Sequence, residues 1–180
     1  ESTTRTLVAV AVNTNPSAPT ASATQNLCTN ATVADLSASG TSIQWYANAS
    51  GGSALSSSLV LTNGTHYYAT QTTNGCESTS RTDVTATLLT NGNWLGATSS
   101  DWGTATNWCG GVPTSSTNVV IPSGASNNPV ITSNTTIAGL TINSGATLST
   151  SNSPIITIAN NGTFTNNGTF TAGTSKVSFA

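Results

Sequence analysis

Residues 77–88 read Glu77-Ser-Thr-Ser-Arg-Thr-Asp-Val-Thr-Ala-Thr-Leu88, and residues 1–12 carry the same residue at six of these twelve positions. In both copies every second residue of the last half is apolar, a period that is typical of a β-strand with one buried face. Both copies are therefore predicted to be strands. The apolar face consists of Val84, Ala86 and Leu88 in the second copy and of Val8, Val10 and Val12 in the first.

This self-similarity at a fixed offset is typical of a repeat array. The second copy directly follows Cys76, so residues 1–12 are predicted to be the closing strand of a preceding repeat in a longer chain. Residues 13–24 contain Pro16 and Pro19 among small residues and are predicted to form a linker. One complete module is expected over residues 25–89.

Short strands separated by glycine-containing turns are predicted inside this module. Strands so short and so closely spaced favour an all-β sandwich. The strand candidates are Thr32–Leu36, Ser42–Tyr46, His66–Thr70 and Asp83–Leu88.

Residues 90–180 begin with three tryptophans and continue in short apolar runs without a helical period. Near the end, Asn161-Gly-Thr-Phe-Thr is followed by Asn167-Gly-Thr-Phe-Thr, which places Phe164 and Phe170 on one predicted strand face. Stacked turns of a β-helix would bury such a column, so a Trp-rich cap followed by the start of a β-solenoid is predicted. Two arms of a hairpin in an ordinary sandwich are the alternative.

Cys28 and Cys76 flank Trp45 and the Tyr67–Tyr68 pair, an arrangement typical of a sandwich pinned by one disulfide around a buried indole. We expect these two cysteines to pair and the compartment to be oxidising. Cys109 is then left over, either as an unpaired buried thiol or bonded to a partner outside residues 1–180.

The residues Ile43-Gln-Trp-Tyr46, Gly51-Gly52, Tyr67-Tyr68 and Gly75-Cys-Glu-Ser78 resemble the Ig-like repeats of very large surface proteins of gliding and polysaccharide-degrading Bacteroidota. Residues 91–180 resemble, less specifically, segments of the same class of exported proteins that look like the entry into a right-handed β-helix; the residues that carry this resemblance are Trp94-Leu-Gly96, Asp101-Trp102, Asn107-Trp108 and Leu140-Thr-Ile-Asn-Ser-Gly145. This resemblance implies type IX secretion, an extracellular location at the cell surface, and a role as spacer or adhesin.

Composition excludes several other functions. The chain has 3 Lys+Arg, 5 Asp+Glu and 1 His, so no basic patch exists for a nucleic acid. No apolar run approaches the length of a membrane span, and membrane insertion is not expected. His66 has no metal-ligating residue at suitable spacing, so we expect neither a metal nor a cofactor.

Catalysis is not expected either. The carboxylates are few, and no pair of them lies in a recognisable cleft, as glycoside hydrolysis would require. We assign no catalytic residue. The carboxylates are Glu1, Asp35, Glu77, Asp83 and Asp101.

Three functions follow from these observations. The first is a structural or adhesive segment of a surface filament, in contact with neighbouring repeats or identical subunits. The second is a carbohydrate-binding module in which Trp94, Trp102 and Trp108 stack on a polysaccharide, although burial of these indoles at the end of the solenoid core is the favoured interpretation. The third is a filament subunit that donates the strand containing Val8, Val10 and Val12 to a neighbour.

Overall fold

The computed structural model describes residues 12–159 and 161–180. These residues form an all-β structure with two short 3-10 helices, at Val33–Asp35 and Ala105–Asn107. The first region is defined here as residues 13–89 and the second region as residues 90–180. The strands of the first region are β1 (Thr24–Cys28), β2 (Gln44–Tyr46), β3 (Thr65–Thr70), β4 (Thr72–Thr73), β5 (Cys76–Glu77) and β6 (Thr82–Leu89).

The first region is built on a four-stranded sheet in the order β1-β6-β3-β2. The alternation predicted for residues 83–88 is present in β6, where Val84 and Ala86 are fully buried. Tyr67 and Ala69 of β3 are buried on the same face, since strands paired in register share the side on which they are apolar. This face packs against Val33, Leu36 and Leu61, which come from the irregular layer opposite the sheet.

The irregular layer takes the place of the second sheet that the sandwich prediction implied. The predicted strand Thr32–Leu36 is wrong, because these residues form a 3-10 turn in which the Thr32 N–H donates to the Asp35 carboxylate at 2.7 Å. Such a local bond competes with a strand ladder for the backbone donors. Within the described residues, this layer contributes only isolated bridges, such as Thr32 to Val60.

The stretch before β1 is attached to the first region and is not a free linker. Gln71 donates from its side chain to the Ser17 carbonyl at 2.9 Å, and Thr20 forms a bridge with Ser39. The Thr82 hydroxyl donates to the Pro19 carbonyl. Residues 1–11, which include Val8 and Val10, lie outside the described residues; Val12 is 86% exposed.

The second region consists of three parallel sheets of three strands each. Their orders are β13-β10-β7, β14-β11-β8 and β15-β12-β9. The chain therefore adds one strand to each sheet in turn and does so three times. One such pass through the three sheets is called a visit here. Each strand pairs in register with the strand of the previous visit, as Ile156 does with Thr135, 21 residues earlier. The strands are β7 (Asn118–Ile121), β8 (Val130–Ile131), β9 (Thr135–Ile137), β10 (Gly139–Ile142), β11 (Thr147–Thr150), β12 (Ile155–Ile158), β13 (Phe164–Asn166), β14 (Thr169–Thr171) and β15 (Lys176–Phe179).

The inward side chains of these strands share one core. Its buried members include Val119, Leu140, Leu148 and Ile156, each at most 1% exposed. The apolar runs seen in the sequence at residues 119–121, 130–131, 140–142 and 155–158 are all strands.

The two Asn-Gly-Thr-Phe-Thr segments have a different arrangement from the predicted one. Phe164 lies on β13 and Phe170 on β14, which belong to different sheets of one visit, and their rings meet edge to face at 5.4 Å. The prediction of one strand face is therefore wrong. The hairpin alternative is also wrong, because every strand pair described in the second region is parallel.

Candidate functional site

The feature that connects the two regions is a disulfide between Cys28 and Cys109, with Cα atoms 5.3 Å apart and a sequence separation of 81 residues. The predicted Cys28–Cys76 pair is wrong. Cys76 lies on β5, in a two-stranded hairpin separate from the main sheet, whereas Cys28 ends β1 at its edge. Within the described residues Cys76 is a free, partly buried thiol.

The strand order explains why Cys28 reaches Cys109. β1 runs parallel to β6, and its last residue, Cys28, pairs with Leu89, the residue at which the first region ends. The chain then turns, and Gly92 and Asn93 exchange backbone hydrogen bonds with Cys109, at 2.9 and 3.0 Å. The disulfide therefore closes the joint between the regions.

The three tryptophans near this joint are inside the protein. Trp94, Trp102 and Trp108 are 0%, 5% and 3% exposed. Trp108 lies edge to face against Trp94, with ring centroids 4.8 Å apart, and against Trp102, at 4.6 Å. The prediction of a sugar-stacking platform is wrong for these residues, because stacking needs exposed faces and the indoles instead pack on the core of the second region.

Asn107 holds the loop that carries these indoles, and sequence reasoning missed it. Its side chain is fully buried. The side-chain carbonyl oxygen accepts hydrogen bonds from the Thr98 and Ser99 N–H groups at 2.9 and 3.1 Å. Its amide donates to the Asp101 carbonyl at 3.0 Å. A buried amide with every polar atom bonded fixes the conformation of a loop. The only sequence signal was an asparagine next to Trp108 in a glycine-rich turn.

A second polar cluster lies on the first region. The Tyr46 hydroxyl donates to the Glu77 carboxylate at 2.6 Å, and the Arg81 guanidinium lies 3.6 Å from the centre of the Tyr46 ring. This hydrogen bond lowers the pKa of Glu77 and raises the pKa of Tyr46. Arg81 also donates to the carbonyls of Asn48 and Gly51, so the cluster holds the 48–51 turn against the sheet.

The other described carboxylates also make local contacts. Asp35 caps its 3-10 turn, and Asp83 lies 2.8 Å from the His66 ring on the exposed surface. Asp101 accepts from the Gly103 N–H and the Thr104 hydroxyl, of which the hydroxyl does more to lower the Asp101 pKa. Among residues 12–159 and 161–180, no group of three His, Cys, Asp or Glu side chains could hold a metal ion.

A groove of about 530 Å³ runs between the two regions beside β1. Its walls include Leu27 and Gln25 from the first region and Leu95 and Ala125 from the second. The Gln25 side chain donates to the Ser37 carbonyl and accepts from the Ser37 N–H, which ties β1 to the loop around Ser37. No helix in the described part of the chain has the length and hydropathy of a membrane span.

These features define an all-β chain in which a mixed sheet is joined by a disulfide to three parallel sheets that share one core. These three sheets, β7 to β15, are called the parallel stack here. Residues 16–89 match the model of the family described as "Ig-like domain CHU_C associated". Residues 93–176 match the model described as "Domain of unknown function (DUF8693)". No curated protein and no solved structure matches the chain.

The first match is consistent with the Ig-like repeat expected over residues 25–89 and begins earlier, so that it includes the attached residues around Ser17. An Ig-like domain and a disulfide fit an extracellular or surface protein.

Proposed function

We propose that this chain is a structural spacer segment of a large exported surface protein and has no catalytic role. The observation that carries the proposal is the disulfide-closed joint, which fastens an Ig-like domain to a stack of parallel sheets. Backbone hydrogen bonds and a covalent bond both hold this joint. Such a joint suits a spacer, which has to hold its two regions in a fixed relative orientation.

The second region is, in this proposal, the start of a right-handed β-solenoid. Three visits to the same three sheets, in register and around one core, are what stacked solenoid turns require. The right hand follows from the strong preference of crossovers between parallel strands.

The outer faces of the stack support a spacer that does not aggregate. In the sheet of β9, β12 and β15, the outward positions at the same register are Thr136, Thr157 and Ser178. Hydroxyl side chains of this kind keep the sheet surface hydrated, although the chain has very few charges.

The absence of catalysis is supported by how the described carboxylates are used. Asp35 and Asp101 bond backbone groups of their own turns, and Glu77 bonds Tyr46. Each carboxylate among the described residues has a local structural partner.

Export through the type IX route, a source among the Bacteroidota and contact with neighbouring repeats or identical subunits complete the proposal. They rest on the resemblance of residues 43–78 to surface repeats and on the family match of residues 16–89. The proposal includes adhesion to surface polysaccharide only because of the same resemblance. The three indoles do not support it, because they are buried. Strand donation by Val8, Val10 and Val12 stays a prediction.

Electron microscopy and mass measurement of the native protein from the cell surface test this function. A spacer segment predicts a particle much larger than 18.0 kDa, extended along the direction in which strands of successive visits stack within each sheet. A compact particle of 18.0 kDa would contradict the spacer function and favour a separate binding module.

A further inference from the structure

The disulfide divides the chain into a closed loop and two open ends. Every buried residue of the first region's core, from Val33 to Ala86, lies inside the loop between Cys28 and Cys109. The three buried indoles lie inside it too. Only β1 and the residues before it precede the loop, and all strands of the parallel stack follow it.

We propose that the Cys28–Cys109 bond carries mechanical tension past the Ig-like domain. A pull along the protein enters through β1, crosses the bond and leaves through the parallel stack, so residues 29–108 are not stretched. This inference rests on the proposed spacer function, because only a spacer is pulled at both ends.

The geometry of β1 and β6 shows what the bond prevents. The two strands are parallel over five register pairs, from Thr24 with Thr85 to Cys28 with Leu89. Without the bond, a pull on the start of β1 and on the end of β6 would slide one strand past the other and open the domain. With the bond, the load acts on the two ends of β1 itself, and β1 is already extended.

The stretch before β1 supplies the only slack on that side within the described residues. It is held by isolated contacts, among them those of Ser17 with Gln71, Pro19 with Thr82 and Thr20 with Ser39. Isolated contacts open one after another under load, whereas a paired strand must break several at once. A pull should therefore first release residues 13–23 and then meet the disulfide.

Single-molecule force spectroscopy of the whole 180-residue chain, held at both termini, tests the proposal. At constant tension the oxidised chain should extend through the residues outside the loop and then stop. Adding a small thiol reductant should release the loop in one step of about 27 nm, since 81 residues extend by about 3.3–3.6 Å each. Reduction under tension uses the correctly folded protein, so no variant has to fold.

Two variants complete the experiment. Cys28→Ser with Cys109→Ser should show a force peak for the Ig-like domain even without reductant. Cys76→Ser is the matched control and should behave as the unaltered chain. No reductant-dependent step, or release of the loop without a force peak in the double variant, would overturn the load path.

Failure of this inference and failure of the spacer function give different results. A compact native particle of 18.0 kDa would remove the spacer function but leave the reductant-dependent step intact. A missing step with an extended native particle would remove the load path alone.

Discussion

Asn107 shows how a single buried side chain can organise a loop. Its side-chain amide forms hydrogen bonds with the backbone of Thr98, Ser99 and Asp101, so the segment that carries the indoles is held at three residues. Among the described residues the Thr98 and Ser99 N–H groups donate to no other acceptor, whereas the Asp101 carbonyl also accepts from the Thr104 N–H at 3.3 Å. The loss of this side chain therefore leaves the N–H groups of Thr98 and Ser99 without an acceptor.

Replacing this residue, in Asn107→Ala, is expected to lower the free energy of unfolding by about 1–3 kcal/mol, because two partly buried N–H groups lose their acceptor and a fully buried side chain is removed. Urea denaturation followed by tryptophan fluorescence measures the loss. Asn128→Ala, at an exposed position, is the control and should change stability by less than about 0.5 kcal/mol. Equal stability of the two variants would show that the network is not structural.

The contact between Tyr46 and Glu77 makes stability depend on pH. Because the fold lowers the pKa of Glu77, its contribution is complete above the ordinary carboxyl pKa of 4.5 and is lost as pH falls through the lowered value. The fold raises the pKa of Tyr46, so that contribution is complete below 10.0 and is lost as pH rises through the raised value.

Tyr46→Phe is expected to cost about 0.5–1 kcal/mol at neutral pH, a small value because solvent screens this partly exposed pair. The variant should also lose less stability than the unaltered chain between neutral pH and about pH 3, since the Glu77 pKa returns toward its ordinary value. Denaturation at a series of pH values measures both effects. Tyr68→Phe is the control; an acid profile unchanged by Tyr46→Phe would contradict the coupling.

At the residue scale, the sequence revealed which side chains are buried better than which ones are bonded. The Trp45 indole was expected inside and is 7% exposed. The partner of Cys28 depended on the parallel arrangement of β1 and β6, which no spacing of cysteines encodes. Sequence reasoning paired Cys28 with the wrong cysteine for that reason.

Among the elements, the corners of the parallel stack depend on two glycines in the repeated Asn-Gly-Thr-Phe-Thr segments. A Cβ at Gly162 would meet the backbone of Ala138, and one at Gly168 would meet the carbonyls of Asn143 and Ala146. In both cases the obstacle is the backbone of the previous visit. The glycines are thus required by the close approach of successive turns of chain.

The substitution Gly168→Ala is therefore expected to lower the free energy of unfolding by more than about 2 kcal/mol, because a backbone and not a flexible side chain must move. Thermal or urea unfolding gives the value. Gly103→Ala is the control, since its Cβ would lie 3.6 Å from the nearest atom, an ordinary contact. Similar stability of the two variants would rule out close stacking at this corner.

Periodicity predicted the elements where the alternation of apolar residues was long enough. It placed β6 and the apolar strands of the parallel stack correctly, because a buried face imposes a period of two on a strand. It failed at residues 32–36, where Asp35 bonds the Thr32 backbone and bends the chain. It also failed for Phe164 and Phe170, since the same five-residue pattern occurs on two neighbouring strands at a corner.

For the whole molecule, the disulfide is the largest single constraint. A bond that closes a loop of this length is expected to stabilise the folded chain by about 4–5 kcal/mol in the chain-entropy model. Cys28→Ser and Cys109→Ser should each lose this amount, and the double variant should lose no more, because all three lack the same bond.

Denaturation of the four cysteine variants measures this non-additivity. Cys76→Ser is the fourth variant and should stay within about 0.5 kcal/mol of the unaltered chain. A large loss in Cys76→Ser with little loss in Cys109→Ser would restore the pairing that the sequence suggested.

The division into two regions could be read from the sequence, since the residue patterns change near Asn91. The joint between them could not, because it depends on contacts across 81 residues that no local pattern records.

The order of the strands along the chain allows the parallel stack to fold from its amino-terminal end. The indole cluster precedes β7 in the chain, and each later strand pairs with one from the previous visit, such as Ile156 with Thr135. A chain that emerges from a translocation channel with its amino end first could thus complete each layer on a finished template. Folding would keep pace with transport, and no strand would have to wait for residues still to come.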